Sequence, residues 1–137
     1  MKTMLIVAIV VGLTGCTSPS GSNKQAKVAP QKQILNPQLL VKSKDSGAVV
    51  IKRDGSFTGN TCLSRVYLNG KPVADLDTSQ EVIVYPSPGD YVISTLPKDF
   101  CGGGMSAQSA EVDAGSTLTF RIGYAADGDF GIYPAGR

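Results

Sequence analysis

From residue 47 onward, apolar and polar positions alternate with a period of two, the pattern of strands that bury one face. The stretch 48–53 (AVVIKR) reads as a first short strand. In 62–68, Cys62, Ser64, Val66 and Leu68 fall on one face, and Leu63, Arg65 and Tyr67 on the other. Asn69-Gly70 then marks a two-residue hairpin, because both central positions of a type I′ turn take positive φ. The return strand 71–75 carries Pro72, which offers no ladder donor and so belongs at a sheet edge or a strand start. Residues 81–85 are apolar enough for a central strand, 86–90 (PSPGD) form a turn, and 91–96 are expected to pair back on 81–85. After a glycine-rich loop come a strand over 107–112, a turn over 113–116, a clean alternation over 117–124, a turn over 125–128 and a last strand over 129–134. Seven to eight short strands separated by turn residues predict an all-β fold, a small antiparallel β-sandwich or barrel.

Ahead of residue 47 the pattern is different. Lys2 precedes an uninterrupted apolar run over 4–11, too short to span a bilayer as a helix and of the length expected for an export signal. The run ends in Leu13-Thr14-Gly15-Cys16, which resembles the lipobox of bacterial lipoproteins, where small residues precede an obligatory cysteine. That resemblance implies a signal peptide over 1–15, and diacylglycerol on the sulfur of Cys16. It also implies acylation of the amine that cleavage exposes, and so a chain held in the membrane by its lipids. Thr17, where an aspartate would imply inner-membrane retention, points to the periplasmic face of an outer membrane. Residues 17–46 are rich in Ser, Pro, Gln and Lys without a sustained period, so 16–46 is expected to be a lipidated cysteine and a flexible basic tether. Ile34-Leu35 and Leu39-Leu40-Val41 are the tether's candidates to pack on the domain or to form its first strand, and the domain is placed at 47–137.

The domain carries its own resemblance. "VYLNGKPVADL", "VIVYPSPGDYVISTL" and "AEVDAGSTLTFRI" are similar to the PEGA-like sandwich modules of bacterial lipoproteins over about residues 48–124. The shared features are turns rather than reactive groups. The resemblance therefore implies a binding or structural role and transfers no catalytic residue.

Composition narrows the chemistry. The 137 residues suit one domain, and sixteen glycines with eight prolines suit many turns. Histidine is absent, which removes the commonest general base and metal ligand. A formal net charge of +2 implies no nucleic-acid partner, but the charge is uneven. Residues 17–46 hold five lysines and one aspartate, whereas 47–137 hold seven basic and ten acidic residues.

Once Cys16 is acylated, Cys62 and Cys101 are the remaining thiols, and an even pair in an exported chain is expected to form a disulfide. Closing a loop of about 40 residues contributes about 4 kcal/mol in the chain-entropy account. Two free thiols, or a nucleophile beside Gly102-Gly103-Gly104, are the competing readings, and the nucleophile lacks a histidine base. The three glycines precede a strand rather than a helix, so they read as a sharp turn and not as a phosphate loop. Asp127-Gly128-Asp129 reads as a turn rather than a calcium loop, and Asp75 with Asp77 as strand-end carboxylates. Tyr67, Tyr85, Tyr91, Tyr124 and Tyr133 are either half-buried strand residues or a binding surface. No catalytic residue, metal or cofactor is expected. The expected function is a lipid-anchored, non-catalytic module that binds an envelope protein or glycan. The alternative is an inhibitor of a host or competitor hydrolase such as lysozyme, acting through the loop 97–106.

Overall fold

A computed structural model describes residues 26–55, 62–98 and 101–135. Cys16, the signal segment and residues 17–25 lie outside the described residues. The elements are β1 (Lys27–Val28), β2 (Ala48–Arg53), β3 (Ser64–Leu68), β4 (Lys71–Leu76), β5 (Gln80–Val84), β6 (Gly89–Pro97), β7 (Ser106–Val112), β8 (Thr117–Tyr124) and β9 (Phe130–Ala135). Two short 3₁₀ turns, Gln31–Gln33 and Pro37–Leu40, interrupt the stretch between β1 and β2. The strands form one sheet in the order β1-β5-β2-β8-β9 and a second in the order β4-β3-β6-β7. This is the all-β sandwich that the alternation predicts.

The alternation explains the packing. Val49 and Ile51 of β2, Val82 and Val84 of β5, Phe120 and Ile122 of β8, and Ile132 of β9 point inward from the first sheet. Val66 and Leu68 of β3, Ala74 and Leu76 of β4, Ile93 of β6 and Val112 of β7 meet them from the second. Nearly all are fully buried, and burying a side chain of this size is worth roughly 1.5–3 kcal/mol.

The turns sort into two kinds. Asn69 (φ 48°) and Gly70 (φ 77°) close the hairpin between β3 and β4 as expected. Residues 125–129 close a second hairpin, β8–β9, in which the Ala125 amide donates to the Asp129 carbonyl at 2.9 Å. The segments 86–88 and 113–116, by contrast, carry the chain from one sheet to the other. Strand β6 pairs with β3 and β7, not with β5 as the sequence suggests. Pro86 and Pro88 remove two amide donors where a continued β5–β6 ladder would need them. A consequence is that β2 lies between an antiparallel β5 and a parallel β8.

Sandwich edges expose unpaired backbone groups, and here each is covered differently. On one side, β7 meets β9 through side chains. The Ile132 amide donates to Ser106 Oγ at 3.0 Å, and Gln108 Nε2 donates to the Ile132 carbonyl at 3.1 Å. Gly131 permits this approach, because a Cβ there would sit 3.0 Å from Ser106 Cβ. On the other side, residues 26–41 form a strap. β1 pairs in parallel with the edge of β5. Ile34 then bridges Ala74 of β4, and the amides of Leu35 and Asn36 both donate to the Val73 carbonyl, at 2.8 and 3.3 Å. Finally the strap returns to the first sheet, where the Tyr85 amide donates to the Leu39 carbonyl at 2.9 Å.

The sandwich therefore begins before Gly47, and residues 26–46 are not free tether. Only Ala29, Ile34, Leu39 and Leu40 of the strap pack on the core, too sparse a set to give a period. Its remaining bonds are made by backbone, which composition does not report. Ile34→Ala should destabilise the domain by about 1–2 kcal/mol, part of the cost of a fully buried truncation. Removing residues 17–41 should go further, lowering Tm and producing concentration-dependent association through the bared edges of β4 and β5. Thermal melts and size-exclusion chromatography check both outcomes.

Candidate functional site

The richest chemistry lies at one end of the second sheet, where β3 begins and β4 and β6 end. Cys62, just ahead of β3, and Cys101, just beyond β6, are joined as a disulfide with their Cα atoms 6.1 Å apart. That separation is ordinary for a bridge between unstrained backbones. The bridge pins the chain at Cys101, immediately ahead of the exposed run Gly102-Gly103-Gly104-Met105. Gly103 has φ 132°, a conformation open to glycine and poor for other residues, and it lets the loop turn against Pro97. No helix begins behind these glycines: Ser106 opens β7. The run is a turn leaving a staple, and among the described residues its large apolar side chain, Met105, is 58% exposed.

Beside the bridge stands an ionic cluster on the outer face of the sheet. Arg65 of β3 places Nε 2.8 Å from Asp75 Oδ1 and an Nη 3.0 Å from Oδ2, a forked pair across the β3–β4 ladder. Lys98 Nζ reaches the same Oδ2 at 3.0 Å, while its backbone amide donates to the Leu63 carbonyl. Burial alone would push the Asp75 carboxyl up, since its side chain is 8% exposed. Hydrogen bonds from Arg65 and Lys98, with their charges, outweigh this and hold the carboxyl below its ordinary value of 3.8. The hydrogen bond to Asp75 raises the Arg65 guanidinium in turn. An acid held ionised between two cations is a poor proton acceptor, so the cluster fixes charge in place rather than moving protons.

Arg53 supports the corner from within. It ends β2 in the other sheet, is 4% exposed, and one guanidinium nitrogen donates to the Cys62 and Leu76 carbonyls at 2.6 and 2.7 Å. Desolvation lowers its pKa, and the charge of Asp77 opposes that. One buried cation thus ties the start of β3 and the end of β4 to the opposite sheet.

The other candidates fall elsewhere. Asp127 accepts the Asp129 amide within the β8–β9 turn, as a turn residue does. Among the described residues, no three His, Cys, Asp or Glu side chains gather closely enough to hold a metal ion. Asp75 and Asp77 part company: the first is buried in the cluster and the second is exposed at the strand end. The tyrosines are scattered rather than gathered. Tyr91 donates its hydroxyl to the Ser87 carbonyl and Tyr133 to the Asp129 carbonyl, each securing a turn. Tyr124 is exposed and packs edge-on against Phe130, with centroids 5.2 Å apart. Arg65, Lys98 and Arg53 are the residues that sequence reasoning did not single out. A β-bulge hides the first pairing. Strict hairpin counting from Asn69-Gly70 sets Arg65 opposite Ala74, whereas the register shift at Val66/Tyr67 sets it opposite Asp75.

No family model matches the chain, and no curated protein matches it with significant similarity.

The folded-state pKa of Asp75 is depressed, so its contribution is complete above the unfolded carboxylate pKa and is lost as pH falls through the lower folded value. Asp75→Asn should cost about 2 kcal/mol at neutral pH, less than a fully buried pair because Arg65 and Lys98 are partly exposed. The cost should begin to shrink below about pH 4, where the carboxylate of the unfolded chain takes up its proton, and vanish once pH falls through the lower folded value. Denaturant unfolding of both proteins between pH 2 and 7 measures the difference.

Proposed function

We propose that this chain is a cell-envelope lipoprotein, anchored by acyl groups on Cys16, whose β-sandwich is a non-catalytic module that binds or braces another envelope component. The observation that carries the reading is the Cys62–Cys101 disulfide in a chain that opens with an apolar export run and Leu13-Thr14-Gly15-Cys16. A disulfide is retained where the surroundings are oxidising, as they are outside the cytoplasm, and an export signal delivers the chain there. The lipobox resemblance supplies the anchor. Thr17 favours the periplasmic face of an outer membrane. Glycan or protein is the expected partner class, because Lys52, Arg65, Lys98 and Arg121 of the domain are held in internal ion pairs and its outer faces are sheets of mixed polarity.

Cys16→Ala should abolish lipid labelling and leave an uncleaved precursor. Mass spectrometry and palmitate labelling of the expressed full chain check this. A variant that is still cleaved and still carries lipid would overturn the anchor.

A second reading rests on the pinned, protruding loop with its exposed Met105. A loop restrained by a disulfide at one end can enter an enzyme cleft at a lower ordering cost than a free one. Excess protein should then slow lysozyme turnover, and Met105→Ala should relieve the block. Unchanged turnover eliminates this reading.

A further inference from the structure

The strap has an inner and an outer side, and only the inner side is used by the fold. Its backbone seals the edges of β4 and β5, and Ala29, Ile34, Leu39 and Leu40 face the core. Outward it presents Val28, 71% exposed, Val41, 67% exposed, and Leu35, 40% exposed. These are half of the exposed large apolar residues among the described residues, and they fall within fourteen positions of one another. Lys32 stands between them, and Lys27, Lys42 and Lys44 flank them, all exposed, with Asp45 the one carboxylate of the segment. Among the described residues none of these lysines has a carboxylate within ion-pair range, whereas Lys52, Arg65, Lys98 and Arg121 all do.

We infer that the outer side of the strap is a docking surface for an anionic lipid leaflet. Three features converge on this occupant. Unpaired lysines interleaved with exposed aliphatic side chains combine electrostatic attraction to anionic headgroups with insertion of apolar groups at the acyl boundary. The charge is opposed across the molecule, since 17–46 is net positive and 47–137 net negative, which orients the strap toward a negative surface and the body away from it. Position adds the third. Nine residues separate Cys16 from Ala26, so the two lie at most about 36 Å apart. The strap is thus the part of the sandwich nearest the anchor along the chain. This last point rests on the lipoprotein reading; the first two do not.

The surface makes the domain lie against the membrane in one orientation. The β8–β9 side, at the far edge of the first sheet, is then left to meet a partner.

The test uses the mature chain from residue 17, without acyl groups, and vesicles of phosphatidylcholine with or without phosphatidylglycerol. Co-sedimentation should show binding to the anionic vesicles, loss of binding in high salt, and little binding to neutral ones. Replacing Lys32, Lys42 and Lys44 with glutamine should lower partitioning on the order of 100-fold, about fivefold for each lysine. Val28→Ser with Val41→Ser should lower it several-fold without changing Tm. Replacing Lys52 and Lys71, which lie off the strap, should leave it unchanged. Absence of binding to anionic vesicles, equal binding to neutral ones, or equal loss in the Lys52 and Lys71 control overturns the inference. So does binding to an anionic wall polymer in place of vesicles. Lipid labelling of Cys16 without vesicle binding by the unacylated chain would defeat the docking surface and spare the anchor; the reverse result would do the opposite.

Discussion

A single extra residue in β4 sets both the surface chemistry and the closure of this sandwich. The shift between Val66 and Tyr67 leaves Val73 as an unmatched position in an antiparallel ladder. Beyond it, the register has slipped so that Asp75 meets Arg65 across the strands and Ala74 and Leu76 enter the core. At the bulge itself, the Val73 carbonyl turns out of the ladder and accepts two amides from the strap. The ionic cluster and the covered edge thus share one cause, a local irregularity that keeps the inward and outward faces of β4 consistent along its length.

The corner beyond β4 shows how charge is used to hold such an arrangement. Arg53 is expensive to bury, but its guanidinium satisfies two carbonyls that would otherwise face the interior without donors. Asp75 is likewise expensive alone and is stabilised by two cations. The disulfide adds a constraint on the unfolded chain that does not depend on pH or salt. Electrostatic and covalent restraints meet at the one end of the sheet where a loop leaves the body of the domain.

Much of the fold was legible because it follows from short-range rules. Alternation located β2 to β9, Asn69-Gly70 identified its hairpin, and the thiol count gave the bridge. Pairing partners were less legible. The proline-rich turn after β5 looks like a hairpin in sequence, yet it changes sheets, because which edge a strand joins depends on strands far away in the chain. The bulge at Val73 left no mark that hydrophobic patterning could register, so the Arg65–Asp75 pair was missed with it. The strap reads as tether in sequence because its bonds run through backbone amides and carbonyls, to which side-chain composition is blind.

The parallel pairing of β2 with β8 has a temporal consequence. Ala48 finds its partner Thr117 about seventy residues later in the chain, after the whole second sheet has been threaded between them. The second sheet is comparatively local, and its strands β3, β4, β6 and β7 can meet while the C-terminal fifth of the chain is still arriving. The first sheet cannot. Until β8 is delivered, β2 has an open side whose aliphatic face matches the kind of segment that associates between chains. A chain emerging from its N-terminus therefore passes through a stage in which β2 waits longest for its second neighbour. Closure of the sandwich is governed by the arrival of its end.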